Sequence, residues 1–171
     1  MESVKRSWYW ALPCYVLLTM ILTYPTILAP IDTVVGHVHA SVACHVWIIW
    51  WAQNHLGDFA SSLIFFPHGA DVVQLYGSDL LSPPLLAQFP LSPALLYNIW
   101  VHLLMVVGAM GARQLALYSG VSHGAAFVAG VIFASAPFFQ HEILNGTSEL
   151  ISTGLLPWYT WLLFRILREP S

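Results

Sequence analysis

All five basic residues of this chain stand at the same end of their apolar segments. Lys5 and Arg6 precede the first apolar stretch, Arg113 ends the second, and Arg165 and Arg168 end the last. Lys and Arg flanking a hydrophobic segment mark its cytoplasmic side. A four-span reading puts all five inside, and puts the acidic, His-rich stretch 32–79 outside. Function is therefore sought on that outer face. Composition agrees: 58% of residues are hydrophobic, 8% are charged, and mean hydropathy is +0.71. Soluble domains carry about 25% charge, so the expected class is an all-α integral membrane protein. At 171 residues the chain is one membrane domain or part of one. No basic patch exists to recruit nucleic acid. Two cysteines, Cys14 and Cys44, make no disulfide framework.

The expected spans are residues 8–28, 94–117, 124–139 and 151–167, with an outer subdomain over 30–92. The first apolar run is longer than a signal-peptide core and has no A-x-A site, so it reads as a retained anchor. Residues 34–56 are apolar enough to cross. Three histidines there, His37, His39 and His45, argue against it, since polar groups in hydrocarbon are costly. A fifth span would also put Arg113, Arg165 and Arg168 outside. Trp47, Trp50 and Trp51 favour a helix along the outer interface instead. Pro and Gly punctuate 57–90 as loop, with room for a short helix near 80–88 whose Pro pair sits in the first turn. Gly108 and Gly111 in span two, and Ala125, Ala129 and Gly130 in span three, permit close helix packing.

Several outer residues carry candidate chemistry. Asp32 lies just beyond span one, wettable yet near the bilayer. That position suits a general base or a metal ligand; it equally suits a helix N-cap. His37, His39, His45, His55 and His68 all fall outside, without an H-E-x-x-H spacing, and the preferred reading is interfacial side chains rather than a metal set. His102 lies within span two, where an ionisable group is a functional candidate. It is either a neutral imidazole bonded to a neighbouring helix or an axial ligand for haem or chlorin. The second outer loop holds His141, Glu142, Asn145 and Glu149, and Glu149 also fits the first turn of a helix.

The order of motifs resembles the N-terminal half of GT-C type bacterial membrane glycosyltransferases, which use polyprenyl-phosphate sugars. The matching stretches are Asp32; H-x-W-x-x-W-W, with His45 and then Val46 to Trp51; FFPHG (65–69); PALLYN (93–98); GARQLA (111–116); AGVIFASAPF (129–138); GTSEL (146–150); and LPW (156–158). The resemblance implies sugar transfer from a lipid-phosphate donor at the outer leaflet of the bacterial plasma membrane, with both termini cytoplasmic. It implies Asp32 as the catalytic residue. A second acid, Glu142 or Glu149, with His141, His37 and His39 nearby, would bind substrate or a divalent metal. Membrane lipids and further transmembrane helices are the implied partners. Two departures stand out: Asp32 is not part of a D-x-D pair, and the outer face has no Arg or Lys for the donor phosphate. The expected site is thus incomplete alone, as in a truncated frame or half of a split enzyme. The alternative is a non-catalytic subunit or scaffold docking through its Trp-rich and small-residue faces; a haem- or pigment-binding subunit through His102 is a third reading.

Overall fold

The computed structural model describes residues 2–37, 41–55, 60–64, 67–72, 82–147 and 152–168, with side chains from residue 9 onward. It is mostly helical. Helix α1 is Glu2–Leu22, α2 is Val42–Asn54, α3 is Ser82–Leu86, α4 is Pro93–Tyr118, α5 is His123–Ala134, α6 is Pro137–Asn145 and α7 is Leu156–Arg168. Short 3-10 turns, Thr26–Leu28 and Ser152–Leu155, follow α1 and precede α7.

Helix α4 is the axle of the molecule. Its first turn is prepared locally: Ser92 accepts the Leu95 N–H, and Pro93 takes the first helical position, where its missing N–H is harmless. α4 then packs against α5, α7, α1 and α2. Three of the expected small residues stand at close helix contacts, whereas Ala125 is exposed. Gly108 faces Phe133 and Gly154, Gly111 faces the Trp158 ring, and Gly130 of α5 meets the Tyr15 hydroxyl and the Ala109 carbonyl. Side chains at these positions would push the helices apart.

The contacts fix helix direction. Near the start of α4, His102 touches Thr23 just past the end of α1. Near its end, Met110 clusters with Ala11 and Tyr15, so α1 runs antiparallel to α4. Tyr15 also donates to the Phe127 carbonyl of α5 at 2.9 Å. Helix α7 runs parallel to α4: Trp158 donates to the Val107 carbonyl at one end, and Tyr118 to the Phe164 carbonyl at the other. The starts of α1 and α5 and the ends of α4 and α7 therefore share one pole. Lys5, Arg6, Arg113, Arg165 and Arg168 all belong to that pole, and the joined segments around Gly36 and Gly146 lie toward the opposite one.

Membrane length is reached by two stretches, Pro93–Tyr118 and His123–Asn145. Span boundaries differ from expectation at three places. Helix α1 stops at Leu22 rather than at 28, because Pro25 disfavours helical backbone at Tyr24. The expected span 124–139 is broken: α5 ends at Ala134, Ala136 is extended (φ −57, ψ 137), and Pro137 begins α6. Helix α7 has 13 residues, about 20 Å at 1.5 Å each. α2 is also 13 residues long, about 20 Å and short of the ~30 Å hydrocarbon core.

Two further details correct the sequence reading. Arg113 is not an interfacial charge at a helix end. It is 1% exposed, with α4 running more than a turn beyond it and Tyr15 of α1 within electrostatic reach. The region 57–90 is not all loop: Ala60–Ser61 (β1) pairs antiparallel with Ala70–Asp71 (β2). Gly69, at φ +71, allows the chain to return, where a side chain would strike the Ser61 carbonyl. The short helix expected near 80–88 is present as α3, with Pro83 and Pro84 in its first turn.

Candidate functional site

The loop pole is built on one turn of α4. Asn98, 3% exposed, sends its side chain into the connection that leaves α1. Its Nδ2 donates to the Pro30 carbonyl at 2.9 Å and to the Thr33 carbonyl at 2.7 Å. Its Oδ1 accepts the Val35 N–H at 2.9 Å. One buried amide thus uses both donors and its acceptor on backbone that brackets Asp32. Within the loop, the Asp32 and Thr33 N–H groups return to the Ala29 carbonyl at 3.1 and 2.9 Å, and the Thr33 hydroxyl also donates to it. The Asp32 side chain itself is exposed. It caps no helix among the described residues, since α2 begins only at Val42 with Ser41 before it. The N-cap alternative therefore falls.

One turn further along α4, His102 completes the fastening. Its Nδ1 donates to the Asn98 carbonyl at 2.7 Å, and its Nε2 lies 2.8 Å from the Thr23 hydroxyl. A carbonyl only accepts, so Nδ1 carries the proton. Both ring nitrogens are engaged by protein groups, which is the helix-to-helix arrangement rather than an open ligand position. Asn98 and His102 also line a cavity of about 460 Å³ between α1 and α4, otherwise walled by residues such as Val16, Met20 and Leu103, with Pro30 at its rim. Its size falls in the ordinary range for ligand sites.

The second loop meets the first through backbone. The His37 N–H donates to the Leu144 carbonyl at 2.8 Å, and the Ser41 N–H to the Asn145 carbonyl at 3.2 Å. Close approach makes this possible. Gly36 lies over the Ile143 carbonyl and Val42, and Gly146, at φ +69, ends α6 against Val42. Glu142 is buried, and its carboxylate takes a hydrogen bond from the Thr147 hydroxyl. His141 is exposed, with Nε2 accepting from Asn145 Nδ2 at 2.9 Å. His37 is exposed on the joined segment. His39 and Glu149 lie outside the described residues.

Among the described residues, no three His, Cys, Asp or Glu gather closely enough to hold a metal ion. The three tryptophans of α2 contact one another, and two of them contact His55. Trp47 stacks on Trp51 at 5.4 Å and Trp51 on His55 at 4.0 Å, while Trp50 stays partly exposed. Gln53 of α2 donates to the carbonyls of Phe89 and Leu91, tying α2 to the entry of α4.

Reading the sequence alone missed Asn98 and Thr23. The available signal was a polar amide at the start of an otherwise apolar span, a placement that is costly without partners. Comparisons with protein-family profiles, with curated proteins and with solved structures found no match to this chain.

Proposed function

We propose that this chain is a glycosyltransferase-like membrane module of GT-C type, acting with a lipid-phosphate-linked sugar at the outer leaflet of a bacterial plasma membrane. In this reading α1, α4, the α5–α6 unit and the Ser152–Leu155 turn continued by α7 cross the membrane, and both termini are cytoplasmic. The observation that carries the proposal is the joining of two loops at the pole opposite every basic residue. One presents Asp32 to solvent and the other holds Glu142, and they are stitched through His37–Leu144 and Ser41–Asn145. The cavity below Pro30 supports it as room for an apolar chain at membrane depth.

Asp32 is assigned as the base. Its carboxylate takes the proton of an acceptor hydroxyl as that oxygen attacks the sugar's anomeric carbon; the bond to the lipid phosphate breaks, and the phosphate leaves with the electron pair. Charge on that phosphate calls for a cation or several donors. No Lys or Arg occurs between Arg6 and Arg113 or between Arg113 and Arg165, so further transmembrane helices supply that contact. The test is consumption of lipid-linked sugar in membranes with those helices co-expressed, comparing wild type with Asp32→Asn and Glu142→Gln at matched protein levels. Loss of transfer in Asp32→Asn and a partial loss in Glu142→Gln are expected. Full transfer by Asp32→Asn sinks the assignment.

One observation favours a second reading, a non-catalytic subunit. The Glu142 carboxylate is buried and takes a hydrogen bond from Thr147, as a structural residue would. Absence of transfer with every lipid donor tried, together with a stable complex with other membrane proteins, selects this reading. Sidedness is tested separately by adding an impermeant thiol reagent from outside. In a Cys-free background Ser62→Cys is modified and Ser119→Cys is spared; the reverse pattern overturns the four-span topology.

A further inference from the structure

We propose that Asn98 is the positioning residue for the Asp32 loop: its buried amide holds that loop in place on α4. The inference rests on the assignment of Asp32 for its functional consequence, but its structural half stands alone. Three lines of geometry carry it. First, the amide spends both of its N–H donors and one acceptor site on one loop, bonding Pro30 and Thr33 as donor and Val35 as acceptor at 2.7–2.9 Å. These partners lie 63 to 68 residues away in sequence, so the loop's place is set by tertiary contact and not by its own turn. Second, the bonds fall on both sides of Asp32, which fixes the direction of the backbone at that residue while its side chain stays free for chemistry. Third, the anchor is itself rigid. It stands on the longest helix, and its own carbonyl accepts from His102, whose other nitrogen meets Thr23 at the start of the same connection. The segment from Thr23 to Val35 is therefore held at both ends by one turn of α4.

The alternative is that Asn98 merely fills space, and volume-conserving substitution separates the two. Asn98→Leu keeps roughly the volume and removes all three bonds, leaving two carbonyls and one N–H unsatisfied. Asn98→Asp keeps an acceptor for Val35 but turns a carboxylate toward two carbonyls. A packing role predicts that Asn98→Leu behaves as wild type. A positioning role predicts that both variants release the loop.

The experiment places a nitroxide label at Ile31→Cys, an exposed position beside Asp32, in full-length protein in lipid nanodiscs with Cys14 and Cys44 replaced by alanine. A second label at Leu144→Cys, exposed on α6, reports the neighbouring loop. With Asn98 present the Ile31 label is expected to be immobilised. In Asn98→Leu and Asn98→Asp its correlation time shortens several-fold while the Leu144 label is unchanged. An unchanged Ile31 label in Asn98→Leu overturns the proposal, as does equal loosening at both labels, which would make Asn98 a general fold residue. In unlabelled protein with native Ile31, transfer is then expected to fall about 10²-fold in kcat with KM for the lipid donor nearly constant, as for a misplaced catalytic group. Loop release without any loss of transfer leaves the clamp intact and removes Asp32 from catalysis, so the two failures are distinguishable.

Discussion

The two poles of this molecule are built from the same apolar helices, yet they differ in how tightly the chain is held. At the loop pole, connections lie against one another at the limit of contact: a side-chain carbon at Gly36 would sit 2.8 Å from the Ile143 carbonyl, and one at Gly146 2.6 Å from the Val42 nitrogen. Polar groups there have named partners across long sequence separations. At the basic pole, Gly120 in the α4–α5 turn and Gly124 at the start of α5 have open space around them. Arg165 and Arg168 lie over the Trp161 and Tyr118 rings, and the turn is short. The difference teaches that one pole is joined by a short turn with room around it, whereas the other needs particular backbone in a particular place.

The largest effect that would sharpen this contrast is chemical. Asp32→Asn is expected to lower sugar transfer by about 10²–10⁴-fold, the range for loss of a positioned base, with helicity and expression unchanged because the side chain is exposed. Arg165→Gln, at the other pole, should leave transfer at the wild-type rate. Equal losses in the two variants would erase the functional distinction between the poles.

Next comes stability, followed by reversible unfolding in mixed micelles. Gly146→Ala adds a side chain to left-handed backbone and drives it into Val42; the two effects together cost about 3 kcal/mol. Gly124→Ala, in open helix, should instead stabilise by about 0.5–1 kcal/mol. If both were neutral, the close packing at the loop pole would carry no energy.

The smallest expected difference concerns single hydrogen bonds. Thr23→Val removes the hydroxyl that meets His102, and an interhelical bond of this kind is worth about 1 kcal/mol in a membrane setting. Tyr118→Phe removes a longer, exposed bond of 3.3 Å to the Phe164 carbonyl and should be nearly silent. A Tyr118→Phe cost matching that of Thr23→Val would show the basic pole to be as closely specified as the other.

Much of the helix arrangement was legible in the residues. Ser92-Pro93 announces the start of α4, and the Pro83-Pro84 pair announces α3. Gly108, Gly111 and Gly130 mark the closest helix contacts. The break at Ala136-Pro137 was also written in the chain, but the apolar run on either side of it hides the interruption from a hydropathy reading. Asp32 and Glu142 stand out as carboxylates in an apolar chain, which is why a reading of the residues alone selects them as candidates. Their surroundings are not found that way: one is exposed and the other is buried beneath Thr147, and no local pattern separates them.

By itself the sequence determined a strongly apolar, sparsely charged chain and the order of its five cations along it. Hydrophobicity and the placement of five cations depend on residue identity and order alone, so they survive without a fold. Tertiary structure decided everything that depends on which distant groups meet. It buried Arg113 more than a turn inside the helix it was expected to end. It also turned an unremarked asparagine into the fastening of the Asp32 loop, because the three backbone groups that satisfy it lie more than sixty residues away and come within hydrogen-bond reach only when α1 folds against α4.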